Sequence, residues 1–403
     1  MRVCRNILYN GLKWDTMVLD FGGEKMIRTL KLIAFIFLLT TLWPVIENKI
    51  DNDKFAKTMD RIQSQIDQWD ENPTVLRAID PVIESIQSFL AQLNIHVDWP
   101  KDSQKESPLV QKPELQVPAE QTFSIHNVEL GYDKSVVEQQ TGPAKRETRN
   151  EYGLKWHAYH KDFHNFFMAM YDSNNKVVGL YTNQDLIASK NGIRIGTSKE
   201  MVLEVLGNPM TGIQKGMTIY QFQEDRNYDV FELDGAYVTV FYDKYEGNTV
   251  TAMQIISKSV EQKKRDFYTK ASQELSIGFE YQMFDLTNAT RVQHQLPILI
   301  WDDHVSKTAR KHSLDMAEKQ YFDHTNLEEE SPFDRMKEDH VNFRLAGENL
   351  AYGQFSSIFA HEGLMNSYGH RKNILHKDFE YLGVGVAFNE ESHPYYTQNY
   401  YAN

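Results

Sequence analysis

Tyr321-Phe322-Asp323-His324-Thr325, Ala346-Gly347-Glu348-Asn349-Leu350-Ala351 and Asn366-Ser367-Tyr368-Gly369-His370-Arg371-Lys372-Asn373-Ile374-Leu375 follow one another near the C-terminus. Each sets a titratable side chain beside a turn or helix signal, so two imidazoles and one carboxylate fall within one segment. Neutral imidazoles are good ligands for Zn²⁺, and two of them leave coordination positions to water, which a nearby carboxylate can hydrogen-bond or deprotonate. Such a set suits ligand binding or water polarisation better than a structural clamp. Taken singly, His370 could cap a helix and Glu348 could satisfy amides of its own turn; their occurrence together with His324 favours a shared site. His312 falls on the apolar face of a helix and reads as a satisfied core histidine.

Around these stretches, Phe284, Leu286, Thr287 and Ala289 form a helical stripe that Pro297 ends. Leu299-Ile300-Trp301-Asp302 then precedes a second helix over about 303–319, with Val305, Ala309, His312 and Met316 on one face. Residues 382–387 and 395–400 alternate as strands. With its Asn288-x-x-Arg291 helix, Pro297-x-Leu299-x-Trp301 turn and Ala309-x-x-His312-Ser313-x-x-Met316 helix, the segment 267–403 resembles the CAP superfamily, the cysteine-rich secretory, antigen 5 and pathogenesis-related 1 proteins, in its bacterial extracellular form. The resemblance implies an α-β-α sandwich. It also implies that His324 and His370 are the paired cavity histidines, the metal positions, and that Glu348 is the first cavity glutamate and the candidate catalytic base. The family's tryptophan-led segment reads Gly363-Leu364-Met365-Asn366-Ser367 here, so Leu364 replaces tryptophan and Ser367 stands where a second acid would be. Glu362 lies one turn earlier and substitutes only if it reaches inward. Glu362, Ser367, Asn349 and Arg371 complete the expected ligand cleft, the last two through loop hydrogen bonds.

The whole chain has 403 residues, which suggests two or three domains. Its hydrophobic share of 41% is that of folding, globular material. A formal net charge of -13, with no basic block longer than Lys263-Lys264-Arg265, removes the electrostatic footprint of a nucleic-acid binder. Cys4 is the single cysteine, which excludes an internal disulfide and a thiolate zinc cluster.

Residues 32–46 form an uncharged apolar run preceded by Lys25, Arg28 and Lys31 and followed by Glu47. Fifteen residues fall short of the roughly 20 of a full span, leaving a signal-peptide core and a short signal anchor as alternatives. Bulky Trp43, Pro44, Val45 and Ile46 offer no small-x-small cleavage site and favour the anchor, 26–47. The basic flank then puts the tail inside and everything after Glu47 outside: a single-pass cell-membrane protein with extracellular C-terminal domains, or in the alternative a secreted one. Met26 stands at that flank, and Gly22-Gly23-Glu24 would be encoded by a purine-rich stretch. We hypothesise that translation starts at Met26 and that residues 1–25 are a mis-assigned start; N-terminal peptides from 1–25 in mass spectrometry would end the idea.

Residues 51–98 carry apolar positions at helical spacing, broken at Pro73 and Pro81, and read as an amphipathic stalk. Residues 99–122, with Pro100, Pro108, Pro113 and Pro118 among polar residues, read as an extended linker. A twofold repeat occupies 123–260. A short strand ends at Gly131 or Gly196, Ser135 or Ser198 offers a helix N-cap, Gly142-Pro143 or Gly207-Asn208-Pro209 stops the helix, and aromatic-rich strands follow. This arrangement resembles the CAP-associated N-terminal domain of membrane-anchored Bacillus-type proteins. Its aromatics are expected to fill two small sheets, and His157, His160 and His164 to be incidental rather than a metal patch. The fold expected overall is α+β: anchor and helical stalk, a two-repeat α+β domain, then the sandwich.

Three functions compete. One is a membrane-anchored extracellular module that binds a divalent metal and a lipid, peptide or cell-wall ligand in the His324/Glu348/His370 cleft. The second is a metal-assisted hydrolase of peptide or cell-wall substrates with Glu348 as base. The third is a non-catalytic structural or signalling surface protein. No Ser or Cys nucleophile motif accompanies the histidines, and His361-Glu362 lacks a second histidine four positions on, which favours binding over hydrolysis.

Overall fold

The structure, a computed structural model, describes residues 13–20 and 110–403. The expected anchor, the stalk and the linker as far as residue 109 lie outside the described residues. Among those described, no helix is long and apolar enough to cross a membrane. Residues 110–403 belong to one compact unit.

The end of the proline-rich stretch has neither helix nor strand, yet it is not a free spacer. The amides of Ala119, Glu120 and Gln121 donate to the Glu129 carboxylate at 3.0, 3.0 and 2.6 Å, and Gln116 N donates to Asn127 Oδ1 at 2.8 Å. A proline-rich segment cannot build a core, but its remaining amides can be satisfied by one buried acid on a neighbouring domain.

The repeat is plain in the backbone. Helices α1 (Lys134–Thr141) and α2 (Lys199–Leu206) each follow a glycine, and equivalent bonds recur: Gly131 N to Val177 O at 2.8 Å beside Gly196 N to Val250 O at 2.9 Å, and Gly142 N to Glu138 O beside Gly207 N to Leu203 O, both 2.9 Å. The caps differ. Ser198 accepts from Met201 N at 3.3 Å as expected, whereas α1 begins two residues earlier than Ser135 implied, with Asp133 as its N-cap and no side-chain cap bond. An antiparallel bridge between Asp133 and Lys176 fixes that N-cap instead.

The strands do not form two small sheets. Strands β3 (Arg146–Arg149), β4 (Lys155–Lys161), β5 (His164–Tyr171) and β6 (Val177–Thr182) of the first copy join β10 (Tyr228–Leu233), β11 (Ala236–Asp243) and β12 (Thr249–Ser257) of the second in one seven-stranded sheet. The joint is β12 on β6, Met253 opposite Thr182 through Ile256 opposite Gly179. Outside it lie two short pairs, β2 (Phe123–Ile125) with β7 (Ile187–Ser189) and β8 (Gly212–Lys215) with β9 (Thr218–Gln221). A single sheet wins because pairing the two inner strands satisfies two edges that separate sheets would leave open.

Both faces of this sheet are apolar, and each has its own partner. Tyr159, Phe167, Ala169 and Leu180 pack with Val137 of α1 and Val202 of α2. Trp156, Phe166, Met168, Met170, Tyr181 and Phe241 instead share a core with Leu286, Ala289 and Ile358 of the following domain. The repeat domain and the C-terminal domain are thus fused along a common core. Gly278 permits the closest approach, since a Cβ there would lie 2.2 Å from the carbonyl oxygen of Arg149.

The C-terminal domain begins after the short helix α3 (Lys258–Lys263) with α4 (Gln273–Gln293). Its central sheet orders β14 (Leu345–Tyr352), β16 (Pro394–Ala402), β15 (Tyr381–Phe388) and β13 (Ile300–Trp301), antiparallel except for β13 on β15. On one face Leu382, Val384, Tyr396 and Tyr400 pack with Phe279 and Met283 of α4, Leu364 of α7 (Ser357–Met365) and Ile374 of α8 (Tyr368–Ile374). On the other, Ala346, Leu350, Tyr395 and Tyr401 pack with Val305 and Met316 of α5 (Asp303–Lys319) and Phe333 of α6 (Pro332–Glu338). That is the α-β-α sandwich. Gly385 brings α5 onto the sheet: a Cβ at this position would sit 2.1 Å from Arg310 N.

Strand β1 (Lys13–Asp20) pairs antiparallel along the outer edge of β14, Lys13 opposite Tyr352 and Asp20 opposite Leu345. A chain that carried residues 32–46 through a bilayer with its tail inside would hold 13–20 on the far side from an extracellular β14. In a single molecule that pairing and that topology exclude one another.

Candidate functional site

The loop after α5 delivers His324. His312, buried within α5, donates from Nε2 to the carbonyl oxygen of Asp323 at 3.0 Å and so anchors this loop from below. Burial pushes the His312 imidazole down to about 4, and it stays neutral: it is a core histidine, as its helix face implied, but satisfied at Nε2 alone, its buried Nδ1 having no partner. Next, Ser331 and Asp334 form a capping box with Pro332 in the first turn, which fixes the start of α6 and places Arg335 one residue on.

Glu348 sits in the middle of β14, fully buried, on the face covered by α5 and α6. His324 Nδ1 donates to Glu348 Oε1 at 2.7 Å, and Arg335 Nη2 donates to Oε1 and Oε2 at 3.2 and 3.0 Å. Arg335 Nη1 also donates to the carbonyl oxygen of His324 at 2.8 Å, closing the group. Burial pushes the Glu348 carboxyl up, but the Arg335 guanidinium and the bond from His324 outweigh it and hold the group below its ordinary value. Glu348 is therefore an ionised carboxylate with both oxygens engaged, and it fixes the His324 tautomer that carries its proton on Nδ1.

Asn349 belongs to the other face of β14. Its Nδ2 donates to the carbonyl oxygen of His370 at 3.1 Å and to Gln398 Oε1 at 3.3 Å, while Asn373 Nδ2 donates to Asn349 Oδ1 at 2.9 Å and to Glu348 O at 3.2 Å. His370, in α8, is buried, and its Nδ1 lies 2.6 Å from Ser367 Oγ. Ser367 is the N-cap residue of α8 yet makes no cap bond, because its hydroxyl is committed to the imidazole. In the place where the family's second acid would stand, a hydroxyl now orients His370.

Other expected members face elsewhere. Glu362 turns to the repeat domain and accepts from Tyr181 Oη at 2.6 Å; burial raises its carboxyl to about 7. Arg371 pairs with Asp243 and, at 3.0 Å, with Glu246 of the repeat domain, so it braces the joint between domains. Asn288 and Arg291 are clamps: Asn288 exchanges bonds with Leu299, and Arg291 donates to the carbonyl oxygens of Pro297, Ile374 and His376 at 2.8, 2.8 and 2.9 Å. His157 lies 3.2 Å from Glu147, and His160 Nδ1 accepts from Phe163 N at 3.0 Å.

Do these residues fit a divalent ion? Among the described residues no three His, Cys, Asp or Glu side chains are grouped so as to hold one. A four-ligand structural zinc site therefore does not fit. His324 and His370, each hydrogen-bonded through Nδ1, are of the residue type that ligates a divalent ion through the other ring nitrogen. Arg335 was not singled out from the sequence; its signal was the capping box just before it, which predicts a helix start but not what the next residue reaches. Tyr181 and Gln354 carried no local signal at all.

Comparison with known proteins agrees with this architecture. Residues 130–267 match the family model described as CAP-associated N-terminal, and residues 284–400 that of the cysteine-rich secretory protein family. An uncharacterized membrane protein of Bacillus subtilis, YlbC, is 31% identical over 290 residues, covering 67% of this chain and 82% of its own. Another protein of that organism, YkwD, is 42% identical over 123 residues, 30% of this chain and 47% of its own. The crystal structure of an extracellular SCP-domain protein from Bacillus anthracis superposes with a TM-score of 0.61 at 26% identity, over 73% of this chain and all of that one, 100%. A cysteine-rich secretory protein from Staphylococcus aureus, at 15% identity and a TM-score of 0.57 over 71% of this chain and 95% of its own, shares the fold. With both halves matched and most of one relative covered, the chain belongs to the CAP family of cysteine-rich secretory proteins, in the form that carries a CAP-associated N-terminal domain.

Proposed function

We propose that this chain is a membrane-anchored extracellular CAP protein that binds a divalent ion, Zn²⁺ in the first instance, and an extracellular ligand at the His324/Glu348/His370 cleft, without turnover. The observation that supports binding over hydrolysis is the state of Glu348. A general base needs a free lone pair and a pKa near the working pH. Glu348 lacks the second, since its carboxyl is held low, and the three hydrogen bonds from His324 and Arg335 leave it a single lone pair, on Oε2. Its fitting role is to orient His324, as a carboxylate behind a ligating imidazole does. Membrane attachment is supported by the apolar run at 32–46 and by the name of the Bacillus subtilis relative, and it requires that in the anchored protein the edge of β14 is not paired with β1.

The test is the zinc content of purified full-length protein in detergent, compared with the His324→Ala/His370→Ala double variant. The wild type should retain ion after dialysis and the variant should not; equal content removes the site. Turnover of a peptide or glycan panel that disappears in Glu348→Ala would replace this reading with the hydrolase.

A further inference from the structure

A cavity of about 550 Å³ opens between the repeat domain and the CAP domain. Its walls are fixed rather than hinged: Tyr181 bonds Glu362 at 2.6 Å, Lys244 N bonds Asn366 Oδ1 at 2.9 Å, and Asn366 Nδ2 bonds Tyr242 O at 2.8 Å. Gln354, which lines it, is 3% exposed, and neither its Oε1 nor its Nε2 has a hydrogen-bond partner. A second lining group, Arg226, likewise has a buried Nε without a partner. Buried polar groups left unpaired are costly and rare, and an amide together with a guanidinium N–H in the lining of one cavity calls for a ligand or ordered water that completes them.

The chemistry that completes a primary amide is another amide, offering a donor and an acceptor side by side. Around Gln354 the cavity supplies aromatic faces, Tyr228 and Phe359 within and Tyr245 and Tyr368 at the rim, the last two 41% and 64% exposed with ring centroids 6.0 Å apart. Large exposed rings with a polar tip are contact groups for a ligand with a flat apolar face and a polar rim. An amino-sugar ring bearing an acetamido group is such a ligand. An extended peptide fits less well, because it pairs along a free strand edge, and the lining comes mainly from turns and from helices α7 and α8.

We propose that this interdomain cleft binds N-acetylated amino-sugar chains, with Gln354 reading the acetamido group and the tyrosines stacking on the sugar rings. The proposal rests on the chain being an extracellular binding module, but not on an ion at His324 and His370. It also gives the CAP-associated domain a task, since half of the cleft is its surface.

Titration calorimetry on full-length protein in detergent, with the N-acetylglucosamine tetramer, its fully deacetylated counterpart, the glucose tetramer and N-acetyl-tetraalanine, tests it. The acetylated tetramer should bind, the two sugars without acetamide at least about tenfold more weakly, and Gln354→Met should lose about tenfold in affinity. Gln354→Met should also melt no lower than wild type, because it removes an unsatisfied amide; a variant that melts lower shows a structural amide and overturns the assignment. Equal affinity for sugars with and without acetamide, preference for the peptide, or absence of binding would each overturn it as well. Binding should survive EDTA and the His324→Ala/His370→Ala change, so failure of the ion site and failure of the cleft are read separately.

Discussion

Glu348 and Asn349 are consecutive residues of β14 that serve opposite faces of the same sheet: the first meets His324 and Arg335 beneath α5 and α6, the second holds the His370 carbonyl beside α8. The period-2 alternation of a strand makes this unavoidable. The His324 side chain and the His370 backbone are therefore held from the two sides of one strand. A motif of adjacent residues thus organises two half-sites.

The Glu348 half-site depends on its cation. Arg335 is the counter-charge to a fully buried carboxylate, and its removal leaves that charge uncompensated. Arg335→Met should destabilise by about 3–5 kcal/mol, the cost of stripping one partner from a buried pair. Arg335→Met combined with Glu348→Leu should recover most of that loss. Urea denaturation of the set decides it; a single variant as stable as wild type would show that the pair is not the buried contact described here.

Acid should expose the same dependence. The folded Glu348 carboxyl lies below its ordinary value, so it contributes stability that is complete above the unfolded carboxylate range and is lost as pH falls through the folded value. Glu348→Gln should be less stable at pH 7 and show a flatter loss between neutrality and acid unfolding. Parallel curves for wild type and variant would count against an ionised Glu348.

Much of this was legible before any coordinates. Strand–glycine–helix–glycine repetition at 131–142 and 196–207 carries its own turn chemistry, and Phe284, Ala289, Val305 and Met316 mark helix faces by spacing alone. What was illegible is what long-range packing decides. Strands β4 to β6 and β10 to β12 are apolar on both faces, a pattern compatible with two sheets or one, and the β12–β6 register is a contact between residues some seventy positions apart. The partners of Glu362 and Arg371 were hidden for the same reason: Tyr181, Asp243 and Glu246 lie in the other domain. His324 and Glu348 were found because family order stands in for distance, which spacing cannot supply.

The shared core predicts that the two domains do not unfold separately. Trp156 is completely buried against Leu286, Ala289 and Ile358, so Trp156→Ala should cost about 3–5 kcal/mol. Gly278→Ala, which drives a methyl into the Arg149 carbonyl, should also destabilise. In both variants the transitions followed by far-ultraviolet dichroism and by tryptophan fluorescence should move together. A repeat domain that melts while the CAP domain stays folded would contradict a common core.

A rise in pH toward neutrality should loosen that seam. Glu362 prefers its protonated form when folded, because burial and the charge of Asp243 raise it to about 7 against the Tyr181 bond. A carboxyl raised on folding gives stability that falls as pH climbs from its unfolded value to its folded one, here between about 4.5 and 7, and the full loss is on the order of 3 kcal/mol. Glu151 and Asp285, each raised to about 7 by burial, act in the same window, so the wild-type decline is a sum. Glu362→Gln keeps an acceptor for Tyr181 and has no proton to lose, and should flatten the decline by its own share. Tyr181→Phe removes a bond that favours the carboxylate and should shift that share to higher pH. Denaturation midpoints taken at half-unit steps from pH 5 to 8 test both; a Glu362→Gln curve that parallels wild type would mean that Glu362 is already ionised within the seam.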